Sequence, residues 1–199
     1  VKQDHGETGE GSGRGLSAGA RAELRALGLL EGEGAPAARA AGLDPVEGRA
    51  GIVKRAISAP DVLNEAYDYG SSFTRGMRVE LPGATMLYLS GTASVDENGR
   101  TVHPGDFAAQ CLRTLRNLTH LLHAEGASWH DVVRTSCYLR DIERDYDEFN
   151  QIRSRFMNAI GLDPLPASTG IQARICRTDL LVEIEAIAII PAGDGPREG

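Results

Sequence analysis

The chain has 199 residues, 41% of them hydrophobic and 25% charged, with a formal net charge of −7. That length buries one ordinary core and favours one domain plus an appendage. The acidic balance, without any basic run interleaved with aromatics, argues against a nucleic-acid partner. No apolar run is long enough to span a bilayer and no charged start precedes an apolar leader, so the expected location is cytoplasmic with no membrane partner.

Residues 1–50 are rich in Gly and Ala and hold no aromatic residue, which marks them as an N-terminal extension. Within it Ser17 is placed to cap a short helix through Leu30, with Leu24, Leu27 and Leu30 three apart. The segment is either a weakly helical or disordered tail or a helix that docks on a neighbouring surface. Regular patterning begins at Gly51 and runs to Pro191, leaving 192–199 as a flexible tail.

Ile52 to Ile57 reads as a first strand, and a polar loop then leads to Ser72-Phe73-Thr74-Arg75-Gly76. Met77 to Leu81 and Thr85 to Ser90 form a hairpin about Pro82-Gly83. Asp96-Glu97-Asn98-Gly99 is a turn, and Pro104-Gly105-Asp106 opens the longest helix, with Phe107, Cys111, Leu115, Leu118 and Leu122 on its inner stripe and Gly126 as its stop. Val132 to Arg140 is a strand that places Val133, Thr135, Cys137 and Leu139 on one face and Arg134, Ser136 and Tyr138 on the other. A second helix, Arg144 to Ala159, turns Tyr146, Phe149, Ile152 or Arg153, and Phe156 inward before Gly161 and Pro164 end it. Two strands close the chain around a turn at Cys176-Arg177-Thr178-Asp179. This order suits an α+β sheet with two helices packed on one face and the other face uncovered, which oligomerisation would cover.

The last strand carries two carboxylates in an apolar run. Period two puts Val182, Ile184, Ala186, Ala188 and Ile190 on one face and Glu183 and Glu185 on the other with Leu181, Ile187 and Ile189. A carboxylate in a shielded cleft can hold and deprotonate a water; the plainer role is a solvated or arginine-paired charge. On the preceding strand Ser168, Gly170, Gln172 and Arg174 share a face, and antiparallel pairing of the two strands would align the polar faces. Arg174 or Arg177 then either salt-bridges a glutamate or binds a substrate carboxylate. Arg75, just before a strand, is a further arginine whose relevance depends on the fold. Cys111, Cys137 and Cys176 are an odd set without CxxC; Cys111 and Cys137 read as buried small hydrophobes. His120 and His123 have no companions that complete a metal set, and neither a dinucleotide glycine motif, a phosphate loop nor a serine elbow occurs, so no metal or cofactor is expected.

Ser90-Gly91, Pro104-Gly105-Asp106 with Ala108-Ala109-Gln110, Asp131-Val132-Val133-Arg134-Thr135, and Val182-Glu183-Ile184-Glu185-Ala186-Ile187-Ala188 together resemble the Rid (RidA, YjgF) family of enamine/imine deaminases over residues 52–191. The resemblance implies a chorismate-mutase-like α+β fold, a homotrimer whose sheets form an inner barrel, and three clefts between subunits. It also implies that a last-strand glutamate, Glu183 here, positions the hydrolytic water. A cleft aromatic matches Phe73 and a helix asparagine matches Asn150. The carboxylate-gripping arginine of the Pro-Ala-Arg motif is Ser168 here, so Arg75 or Arg174 would supply the charge or the substrate differs.

The expected function is hydrolysis of a small carboxylate-bearing imine, enamine or related biosynthetic intermediate, with Glu183 catalytic and Phe73, Arg75, Asn150, Ser168, Gly170 and Arg174 binding substrate. Two alternatives stand beside it. One is a non-catalytic ligand-binding or regulatory trimer. The other is a chorismatase-like hydrolase, since Ser90 to Ser94, Ser72 to Arg75 and Cys176-Arg177 are also similar to chorismatases, although fifty Gly/Ala-rich residues cannot supply their long N-terminal region. Some relatives are described as endoribonucleases or translation inhibitors, a role that the negative charge disfavours.

Overall fold

The computed structural model describes residues 16–27, 29, 52–61, 63–64 and 72–192. Most of the polar loop before Ser72, most of the extension and residues 193–199 lie outside these. The chain divides into two units, Val1–Gly51 and Ile52–Gly199. In the first, helix α1 (Ala18–Ala26) starts where Ser17 Oγ accepts a hydrogen bond from the Ala20 amide at 3.1 Å. It ends at Ala26, short of the expected Leu30, with Leu27 as its C-cap, and it buries none of its residues.

The second unit is one six-stranded sheet. Its strands are β1 (Val53–Ile57), β2 (Gly76–Leu81), β3 (Ala84–Ala93), β4 (Val132–Leu139), β5 (Ala167–Gln172) and β6 (Val182–Pro191), in the spatial order β1-β2-β3-β6-β4-β5. Helices α2 (Phe107–Ala124) and α3 (Ile142–Ala159), 18 residues each, pack on the sheet, α2 against β3 and β6 and α3 against β4 and α2. The expected α+β class with two helices on the sheet is the architecture observed. The helix opened by Asp106 is the equal of α3 in length rather than the longest.

Each element follows from local chemistry. Asp106 Oδ1 accepts the Ala109 amide at 2.9 Å to cap α2, and Phe107, Cys111, Leu115, Leu118 and Leu122 are all buried along it, as their spacing requires. Gly126 (φ 70°) terminates α2, with the Ala127 amide reaching back to the Leu122 carbonyl at 2.9 Å. Leu118, Leu121, Leu122, Leu87, Leu139, Val182 and Ala188 are wholly inaccessible and form the centre of the core. Each buried leucine there contributes about 2 kcal/mol. Trp129 joins the layers, donating from Nε1 to Thr119 Oγ1 at 2.8 Å and meeting the Phe156 ring edge-on at 5.3 Å.

Three expectations of pairing and facing are corrected. The closing strands do not pair: β5 runs parallel to β4, with Thr135 opposite Ser168, and β6 lies between β3 and β4, antiparallel to both. The segment β4-α3-β5 is a crossover unit, and a helix between two strands returns the chain parallel to its start. Val133 is exposed, because a register shift between Val132 and Arg134 turns Val132 inward instead. Tyr146 is also exposed, the inner stripe of α3 being Asp145, Phe149 and Met157.

The two faces of β6 are as the period demands. Val182, Ile184, Ala186 and Ala188 are buried, while Glu183, Glu185, Ile187 and Ile189 look out on the uncovered face. Among the described residues no helix is long and apolar enough to cross a membrane.

Candidate active site

Glu183 begins the uncovered face near the edge of the core. Beside it β3 is irregular: its register against β6 slips between Leu89 and Thr92, so that Ser90 and Gly91 bulge out of the ladder. The Glu183 carboxylate occupies the space this makes, and a Cβ on Gly91 would fall 2.0 Å from Glu183 Oε1. Glycine at 91 is thus required by close approach of a side chain, a familiar use of a bulge next to a site. Burial first, and the neighbouring Glu185 second, hold the Glu183 carboxyl above the ordinary glutamate value.

Ser90 ties the preceding segment to the bulge: its Oγ donates to the Thr74 carbonyl at 2.7 Å and its amide to the Arg75 carbonyl at 3.1 Å. Phe73 and Arg75 are thereby set beside Glu183. Together with Gly91, Cys176 and Arg177 they line a cavity of about 120 Å³. Arg75 is 4% exposed; its Nε donates to the Asn64 carbonyl at 2.7 Å, its Nη2 to Asn64 Oδ1 at 2.9 Å, and its guanidinium stands 5.7 Å from the Phe73 ring centre. Arg177 Nη1 donates to the Gly99 carbonyl at 2.5 Å. The loop that carries Arg177 is clamped by Arg140, which donates to the carbonyls of Leu180 at 2.6 Å, Ile175 at 3.0 Å and Arg177. Across β6, Tyr138 sits opposite Glu183 in register. Loss of solvent first and a hydrogen bond with Glu185 second raise its phenol above the ordinary value.

The other named residues gather elsewhere. Ser168 projects to the helix side of β5, where it meets Thr135 Oγ1 at 3.0 Å and Arg153 Nη1 at 2.9 Å. Asn150 Oδ1 accepts from Arg153 Nη2 at 2.8 Å, and Gly170 lies under the Tyr146 ring. Thr135, Arg153, Met157, Leu165, Pro166 and Ser168 line a second cavity of about 200 Å³. Arg174 lies past the end of β5, exposed, and lines neither cavity. The candidate residues therefore fall into two groups on opposite faces of the sheet, Glu183 with Phe73 and Arg75, and Ser168 with Asn150 and Gly170. Gly91, Tyr138, Arg140 and Arg153 join these groups unforeseen as site residues; Gly91 had a signal in the Ser90-Gly91 motif and Arg153 in its place three residues beyond Asn150 on one helical face.

A single mixed sheet with, among the described residues, two helices packed on it defines the class, an α+β protein. Residues 72–190 match the family model described as endoribonuclease L-PSP, and the chain belongs to that family and, with its deaminase-named relatives, to the Rid proteins. It is 34% identical over 103 residues to the 3-aminoacrylate deaminase RutC of Acinetobacter baylyi, covering 52% of this chain and 78% of that protein. It is 30% identical over 103 residues to the 2-iminobutanoate/2-iminopropanoate deaminase of Mus musculus, covering 52% and 73%. The crystal structure of the YjgF gene product of E. coli aligns with a TM-score of 0.56 at 26% identity, over 68% of this chain and 98% of that one.

Proposed function

We infer that the protein hydrolyses small imino or enamino acids, releasing ammonia and an oxo acid, with Glu183 as the group that moves protons. The observation that carries this is the half-buried Glu183 carboxylate, lodged against Gly91 in a cavity and held above the ordinary glutamate value. A carboxylate tuned towards neutrality serves both to take a proton from water and to return one.

In the reaction, water oxygen bonds to the carbon of C=N while Glu183 accepts the water proton. The same proton passes to nitrogen to give the carbinolamine; its hydroxyl proton is then carried by Glu183 to the amino nitrogen, the C–N bond breaks as C=O forms, and ammonia leaves with the carboxylate regenerated. An enamine enters by protonation at carbon, which makes it the imine. Atoms and charge balance with water as the only co-reactant.

Ser168 and Glu183 of one copy face opposite sides of the sheet, so the complete site forms between copies, and a trimer with three such clefts suits the uncovered face. The names of the two deaminase relatives, all carboxylates with a C–N centre, support this reading. The test is ammonia release from 2-aminoacrylate generated in situ. Acceleration over buffer is expected, and Glu183→Gln is expected to lower kcat by about 10²-fold or more. No acceleration removes the reading. Pyruvate release from chorismate, the readout of a chorismatase-like hydrolase, is expected to be absent.

A further inference from the structure

Arg153 differs from the arginines that the fold pairs with carboxylates. Arg55 and Arg78 reach the Glu125 carboxylate at 2.6 and 3.4 Å, and Arg144 reaches Asp145 at 2.6 Å. Arg153 meets only neutral acceptors, Ser168 Oγ at 2.9 Å and Asn150 Oδ1 at 2.8 Å, and among the described residues it has no carboxylate partner. Its guanidinium also lies 5.2 Å from the centre of the Phe149 ring, which fixes the plane of the fork. Ser168 is itself fixed by Thr135. The outcome is a positioned, half-buried cation whose charge no carboxylate among the described residues neutralises, at the wall of the 200 Å³ cavity.

We propose that Arg153 is the anion-binding residue of this chain, and that the anion is the carboxylate of a small monocarboxylic oxo or imino acid with an apolar tail. Five N–H donors in a flat fork match the two oxygens of a carboxylate, and two bonds to Ser168 and Asn150 leave donors for it. Arg153 is the only cation among the described residues lining this cavity, which balances one carboxylate; a phosphate dianion or a dicarboxylate would leave charge uncompensated. Met157, Leu165 and Pro166 give one stretch of the wall an apolar character suited to a short alkyl group, beside the polar Ser154 and Asn158. Ser168 and Asn150 are positioning residues in this arrangement. The assignment of the anion as a substrate rests on the deaminase reading, but its binding does not.

The experiment titrates the full-length protein with 2-oxobutanoate, which resembles a product and does not react, by calorimetry or NMR, beside steady-state kinetics with 2-aminoacrylate. Arg153→Gln is expected to weaken 2-oxobutanoate binding by about 30-fold and to raise KM more than it lowers kcat. Arg153→Lys, which keeps the charge and loses the fork, is expected to recover part of the affinity. The neutral 2-oxobutanamide is expected to bind wild type and Arg153→Gln alike. Because the side chain is on the surface of α3, an unchanged thermal midpoint for Arg153→Gln checks that folding is intact. Affinity for 2-oxobutanoate unchanged by Arg153→Gln, no binding to wild type, or a loss that follows Arg174→Gln instead overturns the proposal. Arg153-dependent binding without ammonia release sinks the deaminase reading alone; ammonia release with KM untouched by Arg153→Gln sinks this proposal alone.

Discussion

At the scale of single residues the site depends on a missing atom. Gly91 has no Cβ, and the three nearest atoms to one placed there, at 2.0 to 3.3 Å, would all belong to the Glu183 side chain. Gly91→Ala is therefore expected to cost about 1 kcal/mol or less in stability, because a flexible side chain can move aside. It should nevertheless lower kcat by about 10²-fold, because the moved group is the one that must stay in register with the reacting carbon. Urea unfolding and ammonia release measured on the same preparation separate the two; equal, large losses in both would count against this role. The carboxyl's raised pKa gives a second expectation. Glu183 works as a base only when ionised, so the acid limb of kcat/KM should lie above the ordinary glutamate value of about 4.3. Burial is the larger cause and Glu185 the second, so Glu185→Gln should move that limb to lower pH without bringing it all the way back. A limb that stays put or rises in the pH profile would refute the assignment.

At the scale of elements, α2 sets the ends of the two strands that meet at Glu183. Gln110 and Asn117, two turns apart and fully buried, turn their amides to backbone rather than to other side chains. Asn117 Nδ2 donates to the carbonyls of Ala93 and Val95 at 2.9 and 3.0 Å, fixing the end of β3 just past the bulge. Gln110 Nε2 donates to the carbonyls of His103 and Asp179 at 3.0 and 2.8 Å, and its Oε1 accepts the Leu181 amide at 2.8 Å, two residues before Glu183. Gln110→Leu removes the partner of the Leu181 amide and of the Asp179 carbonyl, while the His103 carbonyl keeps the Asp106 amide, and is expected to cost about 2 kcal/mol. Amide exchange at Leu181 should accelerate more than exchange at the centre of β6, whereas a uniform acceleration would show a merely global loss. This level also shows what was legible in the sequence and what was not. The period of α2, its cap at Asp106, its stop at Gly126 and the two faces of β6 depend on neighbours along the chain, and they emerge as read. The partner of β5 depends on the path of the chain through α3, which no local alternation records, although the βαβ order was there to suggest a parallel return. The same crossover hides Arg153: it reaches Ser168 across 15 residues and a change of element. The substitution of Ser168 was visible in the Pro-Ala motif, but the cation standing beside it was not.

At the scale of the whole molecule, the two groups of candidate residues stand on opposite faces of the sheet in one chain. Glu183 opens onto the uncovered face, where Tyr88 and Ile189 are each 41% exposed, while Arg153 and Ser168 stand on the helix side of the sheet's edge strand. If the working cleft joins Glu183 of one subunit to Arg153 of its neighbour, two variants that are both impaired at substrate well below KM should repair each other under that condition. Glu183→Gln supplies an intact Arg153 side, and Arg153→Gln supplies an intact Glu183 side. In trimers refolded from an equal mixture, each cleft draws its two sides independently, so about a quarter of clefts should be wild type. Ammonia release should return to about that fraction of wild-type activity after mixing and refolding, but not after mixing the already assembled variants. Light scattering should find three copies in wild type, each variant and the mixture. If mixing restores nothing while all samples remain trimeric, both sides of the site belong to one subunit, and the division of the candidate residues across the sheet has no part in catalysis.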